Sequence, residues 1–254
     1  MKRATILTSL VFSCFLVAGS VTSALAQELI VSAAASLTDA FSDIEPAFEN
    51  AHPGVDVIMN FASSGALYRQ IEQGAPADVY ASANPKWMNK AIAKGFIKNT
   101  DAHIFAHNSL VLTTPEDNPA NIRTLNDLTG SKVTSIGIGT PETVPAGQYA
   151  KGALTARKLY KKLTPKMIFG ESVRQVLDYL SRGEIDCGFV YRTDAVKTGK
   201  HVLIIEDIPL KKPVTYPIAV LKHSAMPDMA KAFVEFVRSD AGIALLEERG
   251  FTRP

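Results

Sequence analysis

Apolar runs of strand length alternate with segments of helical period along this chain, and that alternation narrows its fold more than any other feature. Leu29 to Ala33 reads as a buried strand, and Leu37, Ala40, Phe41, Ile44 and Phe48 then fall at helical spacing. Val55 to Phe61 is a second strand, with Leu67 and Ile71 marking the helix behind it. Ala77 to Ala81 is a third, followed by a helix through Trp87, Met88, Ala91 and Ile92 that stops at Gly95. Strand followed by helix, repeated, predicts a parallel sheet with helices on both faces.

The rhythm breaks at Ser109. Ser109 to Thr113 is strand-like with no helix after it, and a loop rich in Pro, Asn and Asp runs from Pro115 to Asn126. The alternation then restarts: a strand at Val133 to Ile138, a helix over 145–162, a strand at Met167 to Phe169, a helix over 172–182, and a strand at Cys187 to Tyr191. Further strands read at Val202 to Ile205 and Pro217 to Leu221, and a final helix pair begins at Pro227. The expected fold class is α/β, with two doubly wound sheets in two lobes and a ligand cleft between them. Lobe one takes 27–108 plus 217–254 and lobe two takes 109–216, so the chain crosses twice, near Ser109 and near Tyr216.

Residues 1–26 read as an export signal. Lys2 and Arg3 precede an apolar run from Ile6 to Val17, and Ala24-Leu25-Ala26 puts small residues where a signal peptidase reads. The run falls short of the roughly 20 apolar residues of a membrane span. Cys14 does not read as a lipid anchor, because bulky Phe12 precedes Ser13 and the apolar run continues past it. The mature chain is expected to start near Gln27, in the periplasm. Removing Lys2 and Arg3 matters for charge: the whole chain carries 27 Lys plus Arg against 25 Asp plus Glu, so the mature balance is zero. That balance, with no extended basic run, argues against nucleic acid as a partner. Cys187 is then the lone cysteine, with no disulfide partner, and reads as a small buried hydrophobe.

Four strand-to-helix turns carry small or hydroxyl residues where a helix begins: Ala34-Ala35-Ser36-Leu37, Ala62-Ser63-Ser64-Gly65, Val144-Pro145-Ala146-Gly147 and Glu171-Ser172-Val173. A helix start exposes unpaired backbone N–H groups and the positive end of the dipole, and small side chains let an anion approach. Such turns sit at the carboxyl ends of strands, where ligands bind in doubly wound sheets. Any one of them reads first as ordinary capping. Four of them, divided between two lobes, point to a shared ligand. Tyr191, at the end of Gly188-Phe189-Val190-Tyr191, is either a phenol donor to the same point or a core tyrosine with its hydroxyl at the surface.

These residues also carry a resemblance. Ala33 to Ala40, Asn60 to Gly65, Arg69 to Asp78, Pro85 to Met88, Val144 to Lys151 and Gly188 to Ala195 resemble, in order and spacing, motifs of the periplasmic molybdate-binding proteins of ABC importers. One departure is Gly139-Thr140-Pro141-Glu142-Thr143, where that family more often has Asp or Asn and then His. The resemblance implies the two-lobed solute-binding fold, closing over its cargo by hinge motion, of the type II kind. It implies binding of molybdate and tungstate, with no cofactor and no catalysis, and delivery to a membrane permease by a monomeric carrier. By motif position, Ser36 and Ser64 resemble ligands acting through hydroxyl and backbone N–H. Ala146 and Val173 resemble ligands acting through the backbone alone, and Tyr191 one donating its phenol O–H. The metal would be held as its oxyanion, with no direct cation ligand.

Every position implied by the resemblance is a neutral donor. Such a set suits a fully deprotonated dianion, whereas the O–H of phosphate would be left unpaired at a cost of about 1–3 kcal/mol. Sulfate passes this test, so carriage of sulfate or another tetrahedral oxyanion is the alternative within the same class. The rival from another class is an exported hydrolase with Ser36 or Ser64 as nucleophile, which would need a nearby base. None of His52, His103, His107, His201 and His223 falls in the four turns. His103 and His107 have i,i+4 spacing but sit in a strand-like stretch without a partner ligand, so they do not read as a metal site. Gly137-Ile138-Gly139 lacks the third glycine of a dinucleotide fingerprint and reads as a turn.

Overall fold

A computed structural model describes residues 27–197 and 202–254, so the export signal expected over 1–26 and His201 lie outside the described residues. The first lobe opens with β1 (Gln27–Ala34), α1 (Thr38–Ala51), β2 (Val55–Ala62), α2 (Ser64–Glu72), β3 (Val79–Ala81), α3 (Pro85–Ala93) and β4 (His103–Asn108). The second holds β5 (Leu110–Pro115), β6 (Ile136–Gly139), α4 (Pro145–Ala156), α5 (Tyr160–Leu163), β7 (Met167–Gly170), α6 (Val173–Ser181), β8 (Cys187–Tyr191), α7 (Arg192–Lys197) and β9 (Val202–Asp207). The chain then returns to the first sheet with β10 (Val214–Val220), followed by α8 (Pro227–Arg238) and α9 (Asp240–Glu248).

Each sheet has five strands, ordered β2-β1-β3-β10-β4 and β7-β6-β8-β5-β9. Neither is wholly parallel, which corrects the parallel sheets that the alternation predicts. In the first sheet β10 runs against β3 and β4, and in the second β5 runs against β8 and β9. The reason lies in the crossings. β4 ends beside the cleft at Asn108, so β5 must enter the other sheet from the cleft and run away from it. Leu110 accordingly pairs with Tyr191, the last residue of β8, and on the return Val214 pairs with Asn108. β10 has already joined the first sheet at Val214, ahead of the crossing expected near Tyr216.

Helices cover both faces of the first sheet. Phe41, Phe48 and Phe233, on α1 and α8, pack as edge-on rings on one side, and Leu67, Tyr68, Trp87 and Met88 form the cluster on the other. In the second lobe the helix expected over 145–162 is broken. Lys158 takes a left-handed φ of 60°, and the Leu159 N–H turns back to the Leu154 carbonyl, so α4 stops at Ala156. Cys187 is fully buried, and burial pushes its thiol far above the usual range, which leaves it an inert apolar side chain.

Candidate anion-binding site

The carboxyl ends of the parallel strands of both sheets face one another across the cleft. There the chain passes from strand to helix, and three of those helix starts lack a side-chain cap. The turn Ala35–Leu37 ahead of α1, the Ser63 end of α2 and the Val144 end of α4 have no side chain bonded to their free N–H groups. Ser172 alone among the four expected turns caps in the ordinary way, accepting from the Gln175 N–H at 3.2 Å. Uncapped N–H groups buried away from water need another acceptor.

They converge on one cavity. Ala34, Ala35, Ser36, Ser63, Ser64 and Ala83 line it from the first lobe, and Val144, Pro145, Ala146, Val173 and Tyr191 from the second, enclosing a cavity of about 10 Å³. All five sequence-derived positions, Ser36, Ser64, Ala146, Val173 and Tyr191, are on that wall, and none is more than 4 % exposed. The Tyr191 hydroxyl is buried with no hydrogen-bond partner in the protein. Burial holds this phenol well above its ordinary pKa, so it stays a neutral donor. No lining residue carries a charge. The Ser64 Oγ accepts from the Ala83 N–H at 3.0 Å, which leaves its own proton available to the cavity.

Close backbone approach makes the walls possible. A Cβ at Gly147 would fall 1.7 Å from the Gly139 carbonyl oxygen, so only glycine lets the start of α4 sit against the end of β6. At Gly65 it would fall 2.6 Å from both the Thr143 carbonyl oxygen and the Trp87 ring. The Gly65 N–H donates to that Thr143 oxygen at 2.9 Å, directly across the cleft. The Asn84 amide donates to Gln148 Oε1 at 2.8 Å in the same sense. The lobes are therefore shut.

Beside the cavity a partly buried ion cluster also spans the cleft. Arg174 Nη2 donates to Asp39 Oδ2 at 2.7 Å, and its Nε lies 2.9 Å from Asp194 Oδ1, a charge contact without hydrogen-bond alignment. Asp194 is fully buried, and that burial, partly offset by Arg174, pushes its pKa up to about 7. Sequence reasoning missed this cluster and two further features. Ala83 lies on a fifth turn, Ala81-Ser82-Ala83-Asn84-Pro85, whose small residues before a proline repeat the pattern used for the other four. Tyr216, noted only as a crossing point, hydrogen-bonds Ser36 at 3.0 Å.

A cage of uncharged donors closed between two α/β lobes defines a small-anion receptor that shuts on its guest. The chain belongs to the family of bacterial extracellular solute-binding proteins, whose pattern matches residues 29–252. It is similar to the molybdate-binding protein ModA of Escherichia coli, at 39 % identity over 94 % of this chain and 93 % of that one. A Bacillus subtilis protein provisionally named as an ABC transporter substrate-binding lipoprotein, YvgL, is 37 % identical over 88 % of this chain and 86 % of its own. The solved structure of the Azotobacter vinelandii periplasmic molybdate-binding protein shares the fold, with a TM-score of 0.78 at 24 % identity, over 89 % of this chain and 99 % of that one.

Proposed function

We propose that this chain binds molybdate, and tungstate equally well, outside the cytoplasmic membrane and hands it to the permease of an ABC importer. The observation that carries the reading is the buried, unpartnered Tyr191 hydroxyl on the same wall as three uncapped helix starts, in a cavity that both lobes close. Ser36 and Ser64 hold the anion through hydroxyl and backbone N–H, Ala146 and Val173 through backbone N–H, and Tyr191 through its phenol. The names of the relatives supply molybdate as the cargo. The donor set by itself selects any fully deprotonated tetrahedral dianion, sulfate included.

The protein does no chemistry in this reading. Ser36 leans on Tyr216 and Ser64 on a backbone N–H, and among the described residues no histidine or carboxylate lines the cavity to act as a base. The carrier is a monomer that needs no cofactor, and it is released into the periplasm by cleavage near Ala26. Its moving bodies are 27–108 with 217–254 and 109–216, hinged where the chain crosses.

Titration calorimetry against molybdate, tungstate, sulfate and phosphate tests the proposal. One site per chain with matching affinities for molybdate and tungstate is expected, with no displacement by millimolar phosphate at neutral pH. Absence of heat with both metal oxyanions, together with no rise in melting temperature, sinks it.

A further inference from the structure

Ser36 is tied to the hinge by a chain of hydrogen bonds whose direction can be read. Asn108, the last residue of β4, accepts from the Ser109 N–H through Oδ1 at 2.8 Å. A backbone N–H can only donate, so this bond fixes which end of the amide is oxygen. The Asn108 Nδ2 therefore donates twice, to Thr193 Oγ1 at 2.9 Å and to the Tyr216 hydroxyl at 3.3 Å. Tyr216 is fully buried, and its remaining partner is Ser36 Oγ at 3.0 Å. If Ser36 donated to Tyr216, the Tyr216 proton would be buried with no acceptor, at a cost of about 1–3 kcal/mol. Tyr216 thus donates to Ser36, and the Ser36 proton has no acceptor in the protein. Burial keeps Tyr216 protonated, so the relay does not lapse by ionisation.

We infer that Asn108 and Tyr216 are positioning residues that turn the Ser36 hydroxyl toward the cavity as a donor, and so set the site against oxyanions that carry a proton. This rests on the oxyanion-binding reading above. A guest oxygen without a proton accepts from Ser36 and completes the chain. A guest O–H must use a Ser36 lone pair, and the Ser36 proton is then stranded. The other hydroxyl in the cage obeys the same logic, since the Ala83 N–H, again a pure donor, occupies Ser64 Oγ. Sequence spacing could not reveal this, because Asn108 and Tyr216 stand on the two crossings and neither lines the cavity.

The test reverses the relay. Asn108→Asp replaces the donating amide with an acceptor of the same shape. Tyr216 then donates to it, Ser36 donates to Tyr216, and the cavity gains a lone pair. Molybdate affinity is measured by calorimetry on the full-length protein, its Asn108→Asp and Tyr216→Phe variants, and the double variant. Asn108→Asp is expected to weaken molybdate binding about tenfold more with Tyr216 present than with Phe there, one hydrogen bond to a charged group by direction alone. Hydrogenphosphate, competed against molybdate at mildly alkaline pH, has the same charge and should escape that extra loss. An equal loss in both backgrounds overturns the inference, because the new carboxylate would then act by repulsion only. Tyr216→Phe gives an independent reading whether or not Asn108→Asp folds. Ser36 keeps its proton for the cavity, so the loss should be smaller than for Ser36→Ala, and an equal or larger loss counts against the relay. A wild-type protein that binds neither molybdate nor tungstate overturns the functional reading and this inference with it, whereas a binding wild type with additive variants overturns the relay alone.

Discussion

Along two helices that meet across the cleft, the treatment of charge reverses within one turn. At Ser36 and Val173 the walls are neutral and shut in a small cavity. Three positions beyond Ser36 stands Asp39, and next to Val173 stands Arg174, and these two make an ion pair from lobe to lobe. In the proposed reading each lobe offers uncharged donors to the guest, while Asp39 and Arg174 pair with each other across the cleft. The same closing motion completes both sets, because each pair is carried by the same two helix starts. A formal cation inside the cage would bind any anion tightly and release it slowly. Placed one turn away, the charge helps hold the lobes together while the donors choose the guest.

The largest expected effect comes from the charged side. Arg174→Met removes the guanidinium that faces buried Asp194 and should lower unfolding stability by about 3 kcal/mol at pH 8, the usual cost of breaking a buried pair from one side. The pH dependence has a definite sign. Burial pushes the Asp194 carboxyl up to about 7 in the folded chain, against 3.8 for an ordinary aspartate, so the folded state holds the extra proton between those values. Stability through this group therefore falls as pH rises across that window, and removing Arg174 widens the window. Denaturant melts should show the deficit shrinking toward pH 5. A deficit that does not change with pH would mean the cluster is not what holds Asp194.

On the neutral side, Tyr191→Phe and Ser36→Ala should each weaken molybdate binding by about 1–3 kcal/mol, as each removes a hydrogen bond to a charged group. Their effects on the empty protein should differ in sign. Tyr191→Phe deletes a buried hydroxyl with no protein partner and should leave thermal stability equal or higher. Ser36→Ala strands the Tyr216 proton and should lower it. Equal shifts in melting temperature for the two would erase the distinction between an orphan donor and a relayed one.

The smallest effect belongs to the far rim. Gln148→Ala removes the side-chain bond from Asn84 across the cleft, worth about 0.5–1.5 kcal/mol, and leaves every cavity donor in place. It should raise the dissociation rate of molybdate a few-fold in stopped-flow measurements with little change in association. A slower association rate would place Gln148 on the route into the cleft and not on the closed rim.

Much of the architecture was legible in the chain because burial writes itself as apolar runs. β1 with α1, and β8 with its terminal Tyr191, follow from Leu29 to Phe48 and from Cys187 to Tyr191. The reversed strands β5 and β10 were not legible, because a buried strand has the same composition in either direction. The break at Lys158 was hidden because lysine has no marked turn preference, and only the left-handed φ reveals it. Ser36 and Ser64 could be picked out as hydroxyls at helix starts. Ala146 and Val173 could not be found that way, since they offer only backbone, and their positions came through the family resemblance. Asp39, Arg174 and Asp194 lie far apart in sequence, and Asp39 meets Arg174 only across the cleft. Spacing carries no trace of them.

Ser64, Ala146 and Tyr191 each show no more than 1 % of their surface to solvent. A guest seated among them has no side door. It can neither be plucked out by a stronger chelator nor nudged along by a competing ion while the halves stay together. Unloading is then a mechanical act, and whatever receives this cargo must pull on the protein and not on the ion.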